Sequence, residues 1–293
     1  MSLIKKIGKT DRKLNSFILK TKYCILAWTF FASLNVFAQN DKIVSVGGDI
    51  TEIIYALGHG DKIVARDSTS LEPKQVLSLP DIGYMRLLNT EGILANNPSV
   101  VFTSIDAGPS SVFEQIEALG IPVHKIASEK SLEGTLSKIT TIGELLSEEV
   151  ETKKLLATYQ SELDSIDSTP LDINVLFLLT FDGHAPSAAG QLTAPDSLFK
   201  AIGVKNAAGD IKKYQPITSE SLAMMQPDVI VVSKEGLRQL TEEKIWQLPG
   251  IDKTPAYKNK QLLVVDDGSF LGFTLETPAT VNALKKSLAT LIK

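Results

Sequence analysis

One unit of sequence occurs twice in this chain, and it constrains the fold more than any other feature. The first copy begins at Glu91, continues through a short apolar segment to Pro98 and leads into a Val-rich run. The second copy begins at Glu220, reaches Pro227 at the same spacing and leads into a Val-Ile run. The copies lie about 130 residues apart, whereas solenoid repeats return every 20 to 50 residues. The spacing therefore predicts two similar lobes.

Short runs rich in Val and Ile alternate with helical segments through the first half of the chain. This alternation is typical of an α/β fold in which a mostly parallel sheet is flanked by helices. Three helices are predicted from a polar N-cap with an acidic residue three positions later, and each ends at a glycine. The predicted strands are 43–46, 63–65, 100–103 and 123–126, and the helix signals are Asp49, Glu52 and Gly58; Ser111, Glu114 and Gly120; and Thr193, Asp196 and Gly203.

A long polar segment without glycine or proline separates the two copies, between 147 and 166. Its apolar residues fall on one stripe at helical spacing: Leu156, Tyr159, Leu163 and Ile166. We predict one long helix at 146–168 that joins an N-terminal lobe at 39–145 to a C-terminal lobe at 169–293. A ligand is expected in the cleft between the lobes.

The first 38 residues have the pattern of a secretory signal peptide. Seven Lys and Arg residues precede an apolar run at 23–34, and Val36-Phe37-Ala38 offers small residues at the −3 and −1 positions of a cleavage site. The run is short for a bilayer span, which disfavours a retained membrane anchor. Cleavage near Ala38 removes the only cysteine, Cys24, so the mature chain is expected to lack disulfides and thiolate ligands.

Cleavage also makes the expected mature chain acidic. Removing the leader's seven basic residues and one acidic residue from the 30 and 34 of the whole sequence leaves a net charge of −10. Nucleic acid is therefore not expected as a partner, because its phosphates attract basic proteins. We expect the mature chain to be a monomer.

The loop from Pro80 to Arg86 is the strongest candidate for a binding site. Proline and glycine bracket it, so Tyr84 is not expected in the middle of a helix or strand. A phenolate is a ligand for ferric iron, and a guanidinium two residues later can clamp carboxylates. A tyrosine that serves only packing is the alternative interpretation.

Enzymatic activity and metal-ion transport are weaker interpretations. The sequence has no Gly-x-Ser-x-Gly elbow and no His-Glu-x-x-His motif, and a secreted hydrolase is a remote alternative. Three scattered histidines do not suggest a zinc or manganese site, which needs three or four converging ligands. We therefore predict a binding protein that is not an enzyme.

The chain resembles the haem-binding periplasmic component of bacterial haemin ABC importers over nearly all of its expected mature length. That family belongs to the helix-linked substrate-binding proteins, which also carry siderophores and cobalamin. The two Glu-to-Pro units are shared across that wider group, whereas the Gly-Tyr-Met-Arg loop and Ala-Arg-Asp-Ser-Thr at 65–69 are typical of the haem branch. The segments that carry the resemblance are 43–58, 63–69, 80–86, 89–95, 263–267 and 271–278.

The resemblance implies that the protein captures haem in the periplasm and delivers it to an inner-membrane ABC permease and its ATPase. Tyr84 would be the axial ligand of the ferric iron, and Arg86 would favour the phenolate or pair with a propionate. Arg66 and Arg238 are further candidates for propionate or cleft contacts. For Arg66 a surface salt bridge with Asp67 or another carboxylate is an equal alternative. The competing ligands are an iron-siderophore or a corrinoid.

In the C-terminal lobe the sequence departs from the family pattern. Some members have a histidine at the position of Phe181, where it ligates iron from the opposite side or binds a second haem. Here His184 comes three residues later, as a possible second ligand or cleft neighbour, or as an exposed loop histidine. Phe181 is expected to pack on the porphyrin face, and one or two haems remain possible.

By resemblance, Glu91 and Glu220 dock onto permease arginines; charge complementarity at a helix N-terminus is the alternative role.

Overall fold

The computed structural model describes residues 42–127, 129–180 and 185–291. The predicted signal peptide lies outside these residues, and so do Phe181 and His184. Within the described ranges, no helix is both long and apolar enough to cross a membrane.

Four parallel strands form the sheet of the N-terminal lobe, in the order β2-β1-β3-β4. Their bounds are β1 Ile43–Val46, β2 Ile63–Arg66, β3 Val100–Ser104 and β4 Val123–Ile126. The sequence predicted all four to within one residue at their ends, because each is a short segment that contains Val or Ile between turn signals. The carboxyl ends of these parallel strands form one edge of the sheet.

Helices cover both faces of this sheet. They are α1 Gly48–Ala56, α2 Thr90–Leu94, α3 Ser110–Ala118, α4 Leu132–Leu146 and α5 Glu149–Asp164. Successive strand residues point to opposite faces. Ile43 therefore packs in one buried cluster with α1, α4 and α5, whereas Val44 packs in another with α2 and α3. Burial on both faces explains why the central strands β1 and β3 consist largely of apolar residues.

A six-stranded mixed sheet forms the C-terminal lobe among the described residues. The order is β10-β9-β5-β6-β8, with β7 paired to β5, and the three adjacent strands β10, β9 and β5 are parallel. The bounds are β5 Asn174–Leu179, β6 Ser187–Ala189, β7 Lys205–Asn206, β8 Tyr214–Pro216, β9 Val229–Ser233 and β10 Leu262–Val265. The α/β fold with two lobes is confirmed.

Helices also flank both faces of the second sheet. Their bounds are α6 Ala194–Ala201, α7 Ser219–Met225, α8 Lys234–Gln239, α9 Glu242–Ile245, α10 Pro255–Asn259, α11 Asp267–Leu271 and α12 Thr277–Leu291. Phe177 points to the cluster shared with α6, α11 and α12, and Leu176 points to the cluster shared with α7, α9 and α10.

The two copies of the repeated unit have the same local backbone. In each copy a short helix, α2 or α7, ends shortly before a residue in the left-handed conformation that immediately precedes the proline. These residues are Asn97, with φ 49°, and Gln226, with φ 41°. Each proline then leads into a central parallel strand, β3 or β9. The repeat is therefore a repeat of structure as well as of sequence.

One helix, α5, leads from the first lobe to the second. It is shorter than the predicted 146–168 segment. The preceding helix α4 ends at Leu146, Ser147 follows in the left-handed conformation, and α5 begins only at Glu149. The predicted apolar stripe faces inward, and Tyr159 is fully buried. Leu163 packs against buried clusters of both lobes, so the helix is held at the junction by packing as well as by its covalent ends.

Two of the three predicted N-caps are wrong. Helix α1 begins at Gly48, and Asp49 lies inside its first turn, where the carboxylate accepts a hydrogen bond from the Lys138 ammonium at 2.6 Å. Helix α3 begins at Ser110 after a proline, so Ser111 is not its cap. The third prediction is confirmed, since the Thr193 hydroxyl accepts from the Asp196 backbone N–H.

Candidate functional site

The Tyr84 loop, residues 80–88, is carried by the carboxyl end of β2. The chain returns alongside Arg66, whose backbone N–H donates to the Pro80 carbonyl at 3.0 Å and whose carbonyl accepts from the Ile82 N–H at 2.9 Å. Gly83 then turns the chain at φ 98°, a conformation that glycine adopts without steric cost. The prediction that Tyr84 lies in a loop is confirmed.

Tyr84 and Arg86 form a pair at the surface of this loop. The Arg86 Nη1 donates to the Tyr84 hydroxyl at 2.6 Å, and the guanidinium carbon lies 5.9 Å from the ring centroid. The Tyr84 side chain is 42% exposed. The phenol oxygen therefore combines access from solvent with a cation that stabilises negative charge on it, which are the properties of an anionic oxygen ligand.

Three exposed apolar side chains lie in the Tyr84 loop or in the segments that follow the carboxyl ends of β2 and β3. Leu87 is 77% exposed, and Leu71 and Ile105 are also exposed. Backbone hydrogen bonds join the Tyr84 loop to the loop after β3: the Gly108 N–H donates to the Met85 carbonyl, and the Leu88 N–H donates to the Gly108 carbonyl. Sequence reasoning missed these three apolar residues. The signal was available, because large apolar residues just beyond a strand's carboxyl end are placed at the usual ligand edge of an α/β sheet.

Arg66 lies beneath the loop rather than on its surface. The residue is only 9% exposed. Its Nη1 donates to Asp81 Oδ2 at 3.0 Å and to the Asp67 carbonyl at 3.1 Å. The salt-bridge interpretation of Arg66 is thus realised, with Asp81 as the carboxylate, and the bridge is buried on the arginine side.

The C-terminal lobe contributes Tyr214, which the sequence did not single out. Tyr214 begins β8 and packs against the buried cluster that includes Phe177. Burial raises the pKa of Tyr214 to about 12, and the positive charge of Arg86 opposes that rise. The Arg86 charge therefore acts on a side chain of the opposite lobe.

Arg238 lies on the surface of α8 with its charge already paired. Its Nε and Nη2 donate to the two carboxylate oxygens of Glu235 at 2.8 and 2.6 Å. These charge-assisted bonds lower the pKa of Glu235 and raise that of Arg238. A cleft contact by Arg238 remains a prediction. Phe181 and His184 also remain predictions, because they lie outside the described residues.

Glu91 and Glu220 occupy equivalent exposed positions in the two lobes. The residue three positions before each glutamate is bonded to the loop at the carboxyl edge of its own sheet. The Leu88 N–H donates to the Gly108 carbonyl, and the Ile217 N–H donates to the Pro186 carbonyl. Each glutamate lies in the first turn of its short helix, α2 or α7. Hydrogen bonds from its own backbone N–H and the Thr218 hydroxyl lower the pKa of Glu220. Each lobe therefore presents one exposed carboxylate near the ligand edge of its sheet.

The lobes also touch through a loop between α11 and α12, which we call the Phe273 loop (272–276). Phe273 has φ 53°, which is strained for a bulky side chain. Its carbonyl accepts from the Thr135 hydroxyl and the Lys138 ammonium of α4, both at 3.0 Å. Lys138 is 1% exposed. A buried ammonium needs such partners, so the loop and α4 hold one another in place.

Glu52 of α1 adds a titratable group to this contact. Its carboxylate accepts from the Leu275 N–H at 3.2 Å. Burial is the main reason that the pKa of Glu52 is raised to about 7, with smaller contributions from the nearby charges of Asp49 and Glu276. The Glu52 carboxyl therefore changes charge near neutral pH at the junction of the two lobes.

The described histidines lie away from the Tyr84 loop. His59 is buried, with Nε2 at 2.8 Å from a carboxylate oxygen of Glu148. The His124 ring packs against Phe102 with the ring centroids 5.1 Å apart and the planes tilted by 58°, and burial lowers the pKa of His124. Among the described residues, no group of three or more His, Cys, Asp or Glu side chains converges as a metal site.

Comparison with known proteins gives one family and several relatives. The model of the family described as "Periplasmic binding protein" matches residues 43–268. Among solved structures, the apo form of the periplasmic haem-binding protein RhuT from Roseiflexus sp. RS-1 superposes with a TM-score of 0.83 at 32% identity, covering 86% of this chain and 99% of that one.

Two curated relatives differ in what their names say. A vitamin B12-binding protein of Vibrio parahaemolyticus is 22% identical over 91% of this chain and 95% of its own length. The uncharacterised ABC transporter substrate-binding lipoprotein YvrC of Bacillus subtilis is 28% identical over 69% of this chain. The match spans 66% of YvrC, slightly less than two thirds of its length.

Proposed function

The chain belongs to the periplasmic binding protein family, and from that premise we propose that it captures ferric haem in the cleft between its lobes and delivers it to an ABC importer of the inner membrane. Members of this family bind substrates for transport. The identity of the substrate is the specific part of the proposal.

The observation that carries the proposal is the Tyr84–Arg86 pair. An oxygen anion is a good ligand for Fe(III), and haem proteins use tyrosinate in this role. The Arg86 guanidinium, 2.6 Å from the phenol oxygen, stabilises the anion that the iron requires. The same guanidinium carries donors for a propionate, which is the carboxylate that haem supplies.

The surroundings of the pair favour a porphyrin. Leu71, Leu87 and Ile105 offer exposed apolar surface in the Tyr84 loop and in the segments after β2 and β3, at the same edge of the sheet. A porphyrin has a broad apolar face around a metal, so it matches this arrangement, and burying such surface from water stabilises the complex by roughly 25 cal/mol per Å². A hydrophilic iron-siderophore matches it less well.

A corrinoid is the second candidate, and one observation favours it. The vitamin B12-binding relative aligns over 91% of this chain. In that case Tyr84 would line the cleft without ligating the metal. Against it, the haem-binding relative RhuT is more similar in sequence, at 32% identity, and its structure superposes closely.

Delivery is proposed to use the two exposed glutamates. Glu91 and Glu220 lie at equivalent points of the two lobes, so a permease built from two similar subunits could bind both at once. Arginine is the expected partner residue because it pairs strongly with carboxylates. The predicted leader, residues 1–38, supports a periplasmic location for the binding of the protein to the permease.

Titration of the purified protein with hemin tests the proposal. The wild type should show a Soret change and the charge-transfer band of tyrosinate-bound iron, whereas Tyr84→Phe should lose that band. Tyr257→Phe is the matched control, since Tyr257 packs beside Trp246 in the second lobe.

The outcomes separate the candidates. A wild type that binds cyanocobalamin but not hemin would support the corrinoid function. A Tyr84→Phe variant with the wild-type haem spectrum would remove the ligation by Tyr84.

A further inference from the structure

Arg66 occupies an unusual position for a cation near a ligand-binding edge. It ends β2, nine-tenths buried, and its Nη1 reaches Asp81 Oδ2 at 3.0 Å. Its Nε is buried and makes no hydrogen bond within the described residues. A guanidinium buried to this extent is costly unless its partners are held in place. The Asp81 carboxylate and the Asp67 carbonyl are therefore important to it.

Asp81 connects this buried cation to the backbone next to Tyr84. Its second oxygen, Oδ1, accepts from the Ser68 hydroxyl and from the Gly83 N–H, both at 2.8 Å. Gly83 is the residue directly before Tyr84, and its φ of 98° sets the direction in which the chain continues. One carboxylate thus ties Arg66 to the turn that aims the tyrosine.

The base of this connection is itself fixed. Asp67, the next residue after Arg66, accepts from the Gly47 N–H at 2.8 Å and from the Ser70 hydroxyl at 2.7 Å through Oδ1. Its Oδ2 accepts from the backbone and hydroxyl of Thr69. Both Arg66 and the loop that it supports are therefore anchored to the carboxyl ends of β1 and β2.

We propose that Arg66 is a positioning residue for the iron-ligating tyrosine. Through Asp81 it holds the Gly83 turn, and the turn holds the Tyr84 oxygen at the point where the metal binds. This role rests on the proposed function, because it presupposes that Tyr84 ligates haem iron. The positioning role takes the place of the predicted contact between Arg66 and a propionate, because the guanidinium of Arg66 is directed to Asp81 under the loop.

A double-mutant cycle distinguishes the two roles of Arg66. Hemin affinity and the charge-transfer band are measured for wild type, Arg66→Gln, Tyr84→Phe and the double variant. If Arg66 acts through Tyr84, Arg66→Gln should weaken hemin binding about tenfold and shift the band in the wild-type background, the loss expected from breaking a charge-assisted hydrogen bond. In the Tyr84→Phe background it should have almost no further effect.

Each other outcome decides against a specific statement. An equal loss in both backgrounds means that Arg66 contacts the ligand directly and overturns the positioning role. A wild-type spectrum and affinity in Arg66→Gln overturns it as well. A wild type that shows no tyrosinate band overturns the proposed function first, and the positioning role with it.

Asp81→Asn provides the same test if Arg66→Gln does not fold. An ionised carboxylate repels a propionate, so removing the Asp81 charge would by direct action strengthen haem binding, and a loss of binding therefore points to the loop. We expect Asp81→Asn to shift the charge-transfer band and weaken hemin binding in the same direction, whereas the exposed Asp61→Asn control should match wild type. An Asp81→Asn variant that is folded and binds hemin as wild type does would overturn the proposal.

Discussion

Arg86 Nη1 and the Tyr84 hydroxyl lie 2.6 Å apart, and this contact joins the two side chains that the sequence placed two residues apart in a loop. In an extended strand, side chains at this spacing point to the same face but stand well apart. Here the Gly83 turn and the bond from the Leu87 N–H to the Tyr84 carbonyl fold the segment, so the guanidinium closes onto the phenol.

Removing the Arg86 charge should weaken haem binding. We expect Arg86→Gln to lower hemin affinity about tenfold, because the tyrosinate loses a charge-assisted hydrogen bond. Arg238→Gln is the comparison, since the Arg238 guanidinium is already paired with Glu235 and should change hemin affinity by less than twofold. Titration of both variants against wild type gives the result. Equal losses of hemin affinity in the two variants would support the predicted cleft contact by Arg238.

The stability of the protein should fall as pH rises from about 4.5 to about 7 because of Glu52. The folded-state pKa of about 7 lies above the ordinary value of 4.5, so the folded protein holds this proton more tightly than the unfolded chain does. Protonated Glu52 contributes on the order of 1–3 kcal/mol to the free energy of unfolding below about pH 4.5, and this contribution is lost by about pH 7. Glu52→Gln should raise the free energy of unfolding at pH 8 and flatten this part of the profile.

Urea unfolding at pH 5 and pH 8 measures the effect of Glu52. Glu144→Gln, an exposed glutamate of α4, is the control and should keep the wild-type profile. A Glu52→Gln profile that parallels the wild type would show that the junction carboxylate does not titrate in this range.

Lys138→Met should be strongly destabilising. The substitution preserves the side chain's approximate length but leaves the Asp49 carboxylate and the Phe273 carbonyl without their buried ammonium donor. Removing one partner of a buried ion pair costs about 3–5 kcal/mol. Lys153→Met, which removes an exposed pair with Glu149, should cost less than about 1 kcal/mol. Similar unfolding midpoints for the two variants would contradict the assignment.

Combined Glu91→Ala and Glu220→Ala substitutions should separate delivery from capture. Both carboxylates are exposed and neither bonds the Tyr84–Arg86 pair, so hemin affinity should stay within about twofold of wild type. Haem uptake by vesicles that contain the cognate permease should fall sharply. A control pair, Glu114→Ala with Glu243→Ala, removes the same charge from exposed sites on both lobes. Unchanged uptake by the Glu91/Glu220 variant would exclude the docking role.

The sequence predicted the features that depend on local chemistry. The strands of the first lobe are apolar runs, and Gly58, Gly120 and Gly203 end their helices with positive φ as expected. The repeated Glu-to-Pro unit allowed the two lobes to be predicted, because each copy contains a helix, a left-handed residue and the start of a strand within a few residues. Local signals of this type do not depend on the rest of the fold.

The errors concern residues whose partners are distant in sequence. Asp49 has the spacing of a helix cap, but Lys138 from α4, 89 positions away, takes its carboxylate. For Arg66 the sequence left a propionate contact and a surface salt bridge open, and the return of Asp81 beside β2 supplies the carboxylate and buries the arginine. The pKa of Tyr214 responds to the charge of Arg86, which belongs to the opposite lobe. Such pairings arise from tertiary structure, which the local sequence does not specify.

The Phe273 loop gives the chain a second route between its lobes. Together with α5 it gives two attachments between the lobes, so a movement that separates the loop from α4 has to break the bonds of the Phe273 carbonyl to Thr135 and Lys138. We expect these two attachments to restrict opening and closing of the cleft, and a ligand that fits the preformed width to bind at a smaller cost in ordering.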